Sequence, residues 1–189
     1  MTKQKKSIPK NAKRVFRGEI FEVWQWQQKM FDGTTETFEK VKRPDTLQII
    51  PVVGRKILIE KQEQPGHSQF LSLAGGRRDN NESPLQAAKR ELLEETGYSS
   101  KDWLLFQKEY QLGHVVFTIY TYIARNCFKK TNPNLDSGER ITTKFVNFNQ
   151  FLALSDNKLF RNHDFVNTLL RIKMDSKRKK QFQNLLFKK

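Results

Sequence analysis

The sequence predicts a single α/β domain, a mixed sheet with helices packed on it, preceded by an N-terminal β-hairpin. Three observations predict it. The chain has 189 residues, a length that suits one domain and buries roughly 70% of the unfolded surface. Hydrophobic residues make up 37% and charged residues 29%, proportions that exclude a wholly disordered chain. The apolar patterns run in the order strands, helix, strands, helices, with no internal repeat.

Residues 15–30 form the first strand-favouring run, carried by Val15, Phe16, Ile20, Phe21, Val23, Trp24 and Trp26. Phe31-Asp32-Gly33 is a hairpin turn signal, and residues 34–41 favour a strand again. Residues 47–53 (LQIIPVV) and 56–59 (KILI) read as strands around a Gly54-Arg55 turn. Their nearly continuous apolar character suits burial on both faces, although Pro51 cannot donate to a ladder. Residues 83–96 read as a helix, 115–124 (VVFTIYTYIA) as a strong strand and 144–148 as another. Residues 149–154 and 164–173 read as helices, the second with Phe165, Leu169 and Ile172 on one stripe.

The net charge is +15, but it is uneven. Residues 1–14 carry six Lys/Arg and no acid, and residues 173–189 carry seven Lys/Arg against Asp175. The expected organisation is a basic flexible tail (1–14), a domain (15–172) and a basic C-terminal tail (173–189). In the last, Phe182, Leu185 and Leu186 have the spacing of a short amphipathic helix. Such ends serve either as solubilising tails or as tethers to nucleic acid or another anionic surface. No apolar run reaches the roughly 18 residues of a membrane span, and the basic N-terminus lacks the apolar segment of a secretory signal. A single cysteine, Cys127, excludes an internal disulfide and a multi-cysteine metal site. A cytoplasmic protein is expected.

Residues 76–98 carry the chemistry. Ser83 is placed as a helix N-cap, Pro84 at the first helical position and Gln86 to close a capping box. Gly97 suits the left-handed position that ends a helix. On that helix Glu91, Glu94 and Glu95 stand at i, i+3 and i+4, which sets three carboxylates on one face. Leu85, Ala88, Leu92 and Thr96 make the adjacent stripe that packs on a sheet. Three like charges near a helix C-terminus repel one another and oppose the helix dipole. Arg90 offsets one of them; a divalent cation such as Mg2+ or Mn2+, which takes oxygen ligands, would offset all three. Gly75-Gly76 permits a sharp turn that brings a carbonyl toward the same ion. An exposed acidic helix face without a ligand is the plainer reading of such a cluster.

The whole segment, Gly76-RRDNN-Glu82-SPLQAAK-Arg90-Glu91-Leu92-Leu93-Glu94-Glu95-Thr96-Gly97-Tyr98, fits G-x5-E-x7-R-E-U-x-E-E-x-G-U, with U bulky and apolar or aromatic. In this it resembles the Nudix box, and the chain resembles the Nudix hydrolase superfamily over about residues 15–172. The resemblance implies an α/β/α sandwich with a mixed sheet. It implies Mg2+- or Mn2+-dependent hydrolysis of a nucleoside diphosphate linked to another group, a nucleotide-type small-molecule substrate. Glu91, Glu94, Glu95 and the Gly75 carbonyl would bind metal, Arg90 would orient the glutamates, and Glu82 would support the helix and a metal-bound water from outside. A general base on a later loop is also implied: Glu139 is the candidate, Asp136 the second, and a solvent-facing Glu139–Arg140 turn the plainer reading.

The N-terminal hairpin is similar to that of ADP-ribose and nucleotide-sugar pyrophosphatases, which implies a homodimer. Trp24 and Trp26 suit core packing, a dimer interface or stacking on a base. Arg77 and Arg78 are candidate phosphate contacts. Two features depart from the ADP-ribose group: residues 61–65 (KQEQP) hold no arginine, and Gly113 stands where that group carries proline. Hydrolysis of nucleoside triphosphates or capped RNA, and a catalytically silent binding module for nucleotide or nucleic acid, stay open as alternatives. His67, His114 and His163 form no constellation, and Cys127 has no triad partner.

Overall fold

The computed structural model describes residues 8–188. Strand β1 spans Lys13–Arg17, β2 Glu22–Lys29 and β3 Thr35–Lys42. The expected hairpin is therefore a three-stranded unit. Residues 15–30 divide at Gly18, whose N–H closes a turn on Phe21 O. The expected N-terminal tail lies outside the described residues up to position 7, and its last two residues, Lys13 and Arg14, are already in β1.

The chain continues through β4 (Thr46–Val53), β5 (Lys56–Gln64), β6 (His67–Ser72), α1 (Pro84–Thr96), β7 (Tyr98–Ser99) and β8 (Asp102–Leu112). Then come β9 (Val115–Arg125), β10 (Phe128–Lys129), β11 (Arg140–Val146), α2 (Phe148–Leu152), α3 (His163–Met174) and α4 (Ser176–Leu186). Among the described residues nine strands join in one mixed sheet, with β3–β9 and β4–β9 parallel and the other pairs antiparallel. Pro51 sits in the middle of β4 for a local reason. The N–H groups of Leu47 and Ile49 donate to Gly76 and Ala74, while β5 pairs only with Val52 and Val53. Pro51 falls in the gap between these two partners, where no ladder donor is needed.

Period-two alternation divides β4 between two cores. Ile50 and Val52 join Ile57, Ile59, Phe151, Phe160, Phe165 and Leu169 beneath α2, α3 and α4. Leu47 and Ile49 join Ala74, Ala87, Ala88 and Leu92 beneath α1. Helices thus cover both faces, as the α/β/α expectation requires.

Residues 176–186 form the short amphipathic helix that the sequence allowed for the basic C-terminal segment, and it is docked rather than free. Asp175 caps α4 through the N–H groups of Lys177 and Arg178, and Phe182 and Leu186 are buried in the main core. Two apolar anchors one helical turn apart dock an otherwise basic segment, so the folded layer runs past residue 172.

Candidate active site

Helix α1 begins and ends as its sequence dictates. Ser83 Oγ accepts from Gln86 N, Gln86 Oε1 accepts from Ser83 N, and Gly97 closes the helix at φ 70°. The buried stripe differs from the expected one: Ala87, Ala88, Leu92, Thr96 and Glu95 are buried, and Leu85 only half so.

The three glutamates occupy three environments. Glu95 points into the protein, 5% exposed, and its Oε2 accepts from Gly75 N at 2.7 Å. Glu91 is half-buried against Gly76: a Cβ on that glycine would lie 2.6 Å from Glu91 Oε1. Glycine is required there by close approach, and at Gly75 both by φ +141° and by a Cβ that would strike Leu47 O at 2.1 Å. Glu94 is the most exposed and is held by Arg90 Nη1 at 3.0 Å. The Arg90 guanidinium is fully engaged. Nε and Nη2 grip both oxygens of Glu82 at 2.8 and 3.0 Å, Nη1 lies 3.0 Å from Glu91 Oε1, and Nη2 reaches Arg77 O. Such a bidentate clasp fixes the helix to the loop before it. It pulls the Glu82 carboxyl below the usual range and raises the Arg90 pKa.

A cleft of about 320 Å3 opens in front of these groups. Gly75, Gly76, Arg77, Arg90, Glu91, Glu94 and Glu95 form one wall; Asn134, Asp136 and Glu139, on the loop before β11, form the other. Gln62 and Gln64 of β5 also line it. Burial raises Glu91 to about 7, helped by Glu94 and Glu139. Burial also raises Glu139, with Asp136 adding to it. The carbonyls of Ala74 and Gly76 accept from β4, whereas no donor among the described residues takes that of Gly75. No three acidic, histidine or cysteine side chains of the described residues are drawn together into a ready-made metal cage. The donor set is oxygen-only and anionic, which suits a hard divalent cation.

The remaining candidates lie elsewhere. Arg78 pairs with Asp45 at 3.3 Å and faces a separate hollow between the β1–β2 turn and the segment leading into β4. Trp24 bonds Glu22, and Trp26 packs on Phe38 at 6.0 Å with its Nε1 on Gln28. Neither tryptophan lines the cleft of its own chain.

Sequence reasoning missed three features. The first is Glu60, fully buried on β5 with its carboxyl against that of Glu95. Gln62 and Ser72 donate to Glu60 Oε2, while Oε1 has no hydrogen-bond donor. Burial raises Glu60 to about 7, and burial together with Glu60 raises Glu95 well above the carboxylate range. The second is the chain Gln64 to Gln62 to Glu60, which connects the cleft wall to that carboxyl pair. Its sequence trace is an unbroken polar run, EKQEQ at 60–64 directly after the apolar KILI, and only the pleat of β5 separates the inward Glu60, Gln62 and Gln64 from Lys61 and Glu63. The third is Arg43. It stacks on Phe117 at 4.6 Å, donates to Thr46 Oγ1 and makes no ion pair among the described residues. Burial, then the charge of Arg77, lowers its pKa.

A model of the NUDIX domain matches residues 42–167. The chain is 26% identical over 133 residues to the methanol dehydrogenase activator of Bacillus methanolicus, covering 68% of this chain and 71% of that protein. It is 27% identical over 100 residues to the ADP-ribose pyrophosphatase of Bacillus subtilis, covering 52% of this chain and 53% of that protein. It is 26% identical over 111 residues to the ADP compounds hydrolase NudE of Escherichia coli, covering 57% and 59%. The match thus spans little more than half the length of these two hydrolases. A solved structure of an ADP compounds hydrolase superposes with a TM-score of 0.71 at 20% identity, covering 89% of this chain and 95% of that one.

Proposed function

The chain belongs to the NUDIX family, and we propose that it hydrolyses the pyrophosphate bond of a nucleoside diphosphate derivative, ADP-ribose or a related nucleotide sugar, giving a nucleoside monophosphate and a sugar phosphate. The observation that carries this reading is the convergence of Glu91 and Glu95 on the Gly75–Gly76 turn at the head of the cleft. The hydrolases similar to this chain support the substrate class.

In this reading Glu91, Glu94, Glu95 and the Gly75 carbonyl would hold Mg2+ or Mn2+, Glu94 being also tied to Arg90. When bound, the cation neutralises pyrophosphate charge and acidifies a water. The chain's own residues do the rest. Arg90 keeps Glu91 and Glu94 aligned, and Glu82 keeps Arg90 aligned. Glu139, across the cleft, accepts the proton of the attacking water, with Asp136 behind it. Arg77, which makes no ion pair among the described residues, contacts a phosphate. Gln62 and Gln64 stand where the ADP-ribose group carries an arginine. Neutral amides there suit hydroxyl groups of the distal sugar better than a second phosphate.

We also propose a cytoplasmic homodimer joined through the β1–β3 unit. Its exposed apolar residues Val15, Phe16, Phe21 and Phe38 support that reading. Half-buried Trp24 then lies at the interface, with Trp26 buried behind it against Phe38, and light scattering at the mass of a single chain would contradict it. No helix of the described residues is long and apolar enough to cross a membrane.

The test is product analysis with Mg2+ on ADP-ribose, nucleotide sugars, dinucleoside polyphosphates, nucleoside triphosphates and capped RNA, with Glu95→Gln as control. AMP plus ribose 5-phosphate is expected from ADP-ribose. Turnover of capped RNA alone would favour the second reading, supported by a 41% identity over 58 residues to RNA pyrophosphohydrolases of Brucella, which covers 27% of this chain. Silence on every compound would overturn the hydrolase reading.

A further inference from the structure

We propose that the outer face of α4 binds the phosphate backbone of a nucleic acid, at a site separated from the catalytic cleft by the sheet. Lys177, Arg178, Lys179 and Lys180 stand consecutively in a helix that is capped by Asp175 and anchored by Phe182 and Leu186. Docking changes what these charges are. On a free tail they would be dispersed; on the docked helix Lys177 and Lys180, three positions apart, share the exposed face turned away from Phe182 and Leu186, while half-buried Lys179 lies round the helix beside Asn147 and Phe148. Arg178 is paired with Asp175 at 3.2 Å. Lys177, Lys179 and Lys180, and Arg171 on the preceding turn of α3, make no ion pair among the described residues. Unpaired cations held close together repel one another, and a polyanion relieves that repulsion while releasing its own counterions.

The location excludes these cations from the proposed chemistry. α4 packs in the core beneath α2 and α3, whereas the cleft lies on the face covered by α1. The surface therefore tethers a strand rather than presenting it to the glutamates. The partner follows from what accompanies the charges. Exposed Gln181 and Asn184 and half-buried Gln183 offer amides suited to phosphate and sugar oxygens. A helix that lies in a lipid surface turns its apolar residues outward. Here Phe182 and Leu186 are spent on the core, and only Met174 and Leu185 are exposed apolar residues in this stretch.

The test is fluorescence anisotropy of a labelled single-stranded oligo-uridine RNA with the full chain across KCl concentrations. It compares wild type with K177Q/K179Q/K180Q and with K177E/K179E/K180E. Wild type is expected to bind, with affinity falling linearly in log salt. The glutamine variant should bind at least tenfold more weakly near 50 mM salt, with a slope shallower by about 1.4, from the outward-facing Lys177 and Lys180 at about 0.7 each. The glutamate variant should lose binding. Turnover in the cleft and the melting temperature should be unchanged in both, which separates this proposal from the hydrolase reading. Absence of wild-type binding, or variants that bind as wild type does, would overturn it. So would capture of the chain by vesicles containing phosphatidylserine but not by RNA.

Discussion

Beneath α2, α3 and α4, Phe151, Phe160 and Phe165 are fully buried, and Phe151 meets Phe165 and Phe182 at ring distances of 6.4 Å. Beneath α1 the same sheet is covered by Ala87, Ala88 and Leu92, and the buried inventory extends to Glu60, Glu95 and Thr96. Both faces exclude water, but with opposite consequences. Aromatic burial stabilises the fold wherever it occurs. Burial of Glu60 against Glu95 costs stability unless a proton or a cation compensates it. The first layer holds the sheet rigid, and the second uses that rigidity to keep like charges together.

The sharpest way to break this contrast is one substitution on each face. Glu95→Gln should lower kcat by about 10^3- to 10^4-fold while leaving the melting temperature of the metal-free protein unchanged or higher. A marked fall in melting temperature would make Glu95 a structural residue. Phe151→Ala should do the reverse, costing about 3–5 kcal/mol in urea unfolding, with kcat per folded molecule preserved.

A change of pH tests the charged face alone. Glu60 and Glu91 are raised from 4.5 to about 7 in the folded protein. The folded state therefore binds more protons than the unfolded one between those values. Stability is full below pH 4.5 on this account and declines as pH rises toward about 7. Melting in EDTA should show that decline, on the order of 5 °C, and saturating Mg2+ should flatten it. An equal decline with and without Mg2+ would separate these carboxyls from the metal site. The smallest effect is Ser83→Ala, which removes the N-cap of α1 and should cost about 1 kcal/mol, measurable by denaturant midpoint.

The same contrast explains what the sequence discloses. Around α1 almost every position needs a particular residue type: a capping hydroxyl, a proline, glycines at φ +141° and +70°, an arginine between carboxylates. Stringent demands leave a legible pattern, and α1 starts and stops where its sequence says, although its buried stripe turns from Leu85 to Ala87 and Glu95. Where demands are looser the pattern fades. β8 runs four apolar residues (WLLF, 103–106) into a polar stretch (QKE, 107–109) and so gives no clear period. Residues 15–30 carry a uniform strand preference that hides the turn at Gly18. In α4 two apolar anchors are outnumbered by cations, so composition suggests a tail while Phe182 and Leu186 dock it. Glu60 escapes because a carboxylate in a strand normally marks the solvent face; only its depth reveals that it faces Glu95.

The segment leading into Gly75 is fastened from the aromatic layer. Leu71 exchanges backbone hydrogen bonds with Leu159 and Arg161, and Leu73 N donates to Asn162 Oδ1 at 2.8 Å, at the head of α3. The cleft is therefore a vice with one fixed jaw. The wall carrying Gly75 and Gly76 is bolted through the sheet to the opposite layer, and its amides should exchange with solvent only when the domain unfolds. The other jaw, the largely exposed loop that carries Asn134, Asp136 and Glu139, is pinned to α1 at its start by Asn134 N on Glu94 O at 2.8 Å, and beyond that point Glu139 N bonds only to Asp136 O of the same loop. Whatever closing accompanies a turnover is therefore confined to residues 135–139, which carry Asp136 and Glu139 between the pin at Asn134 and the start of β11.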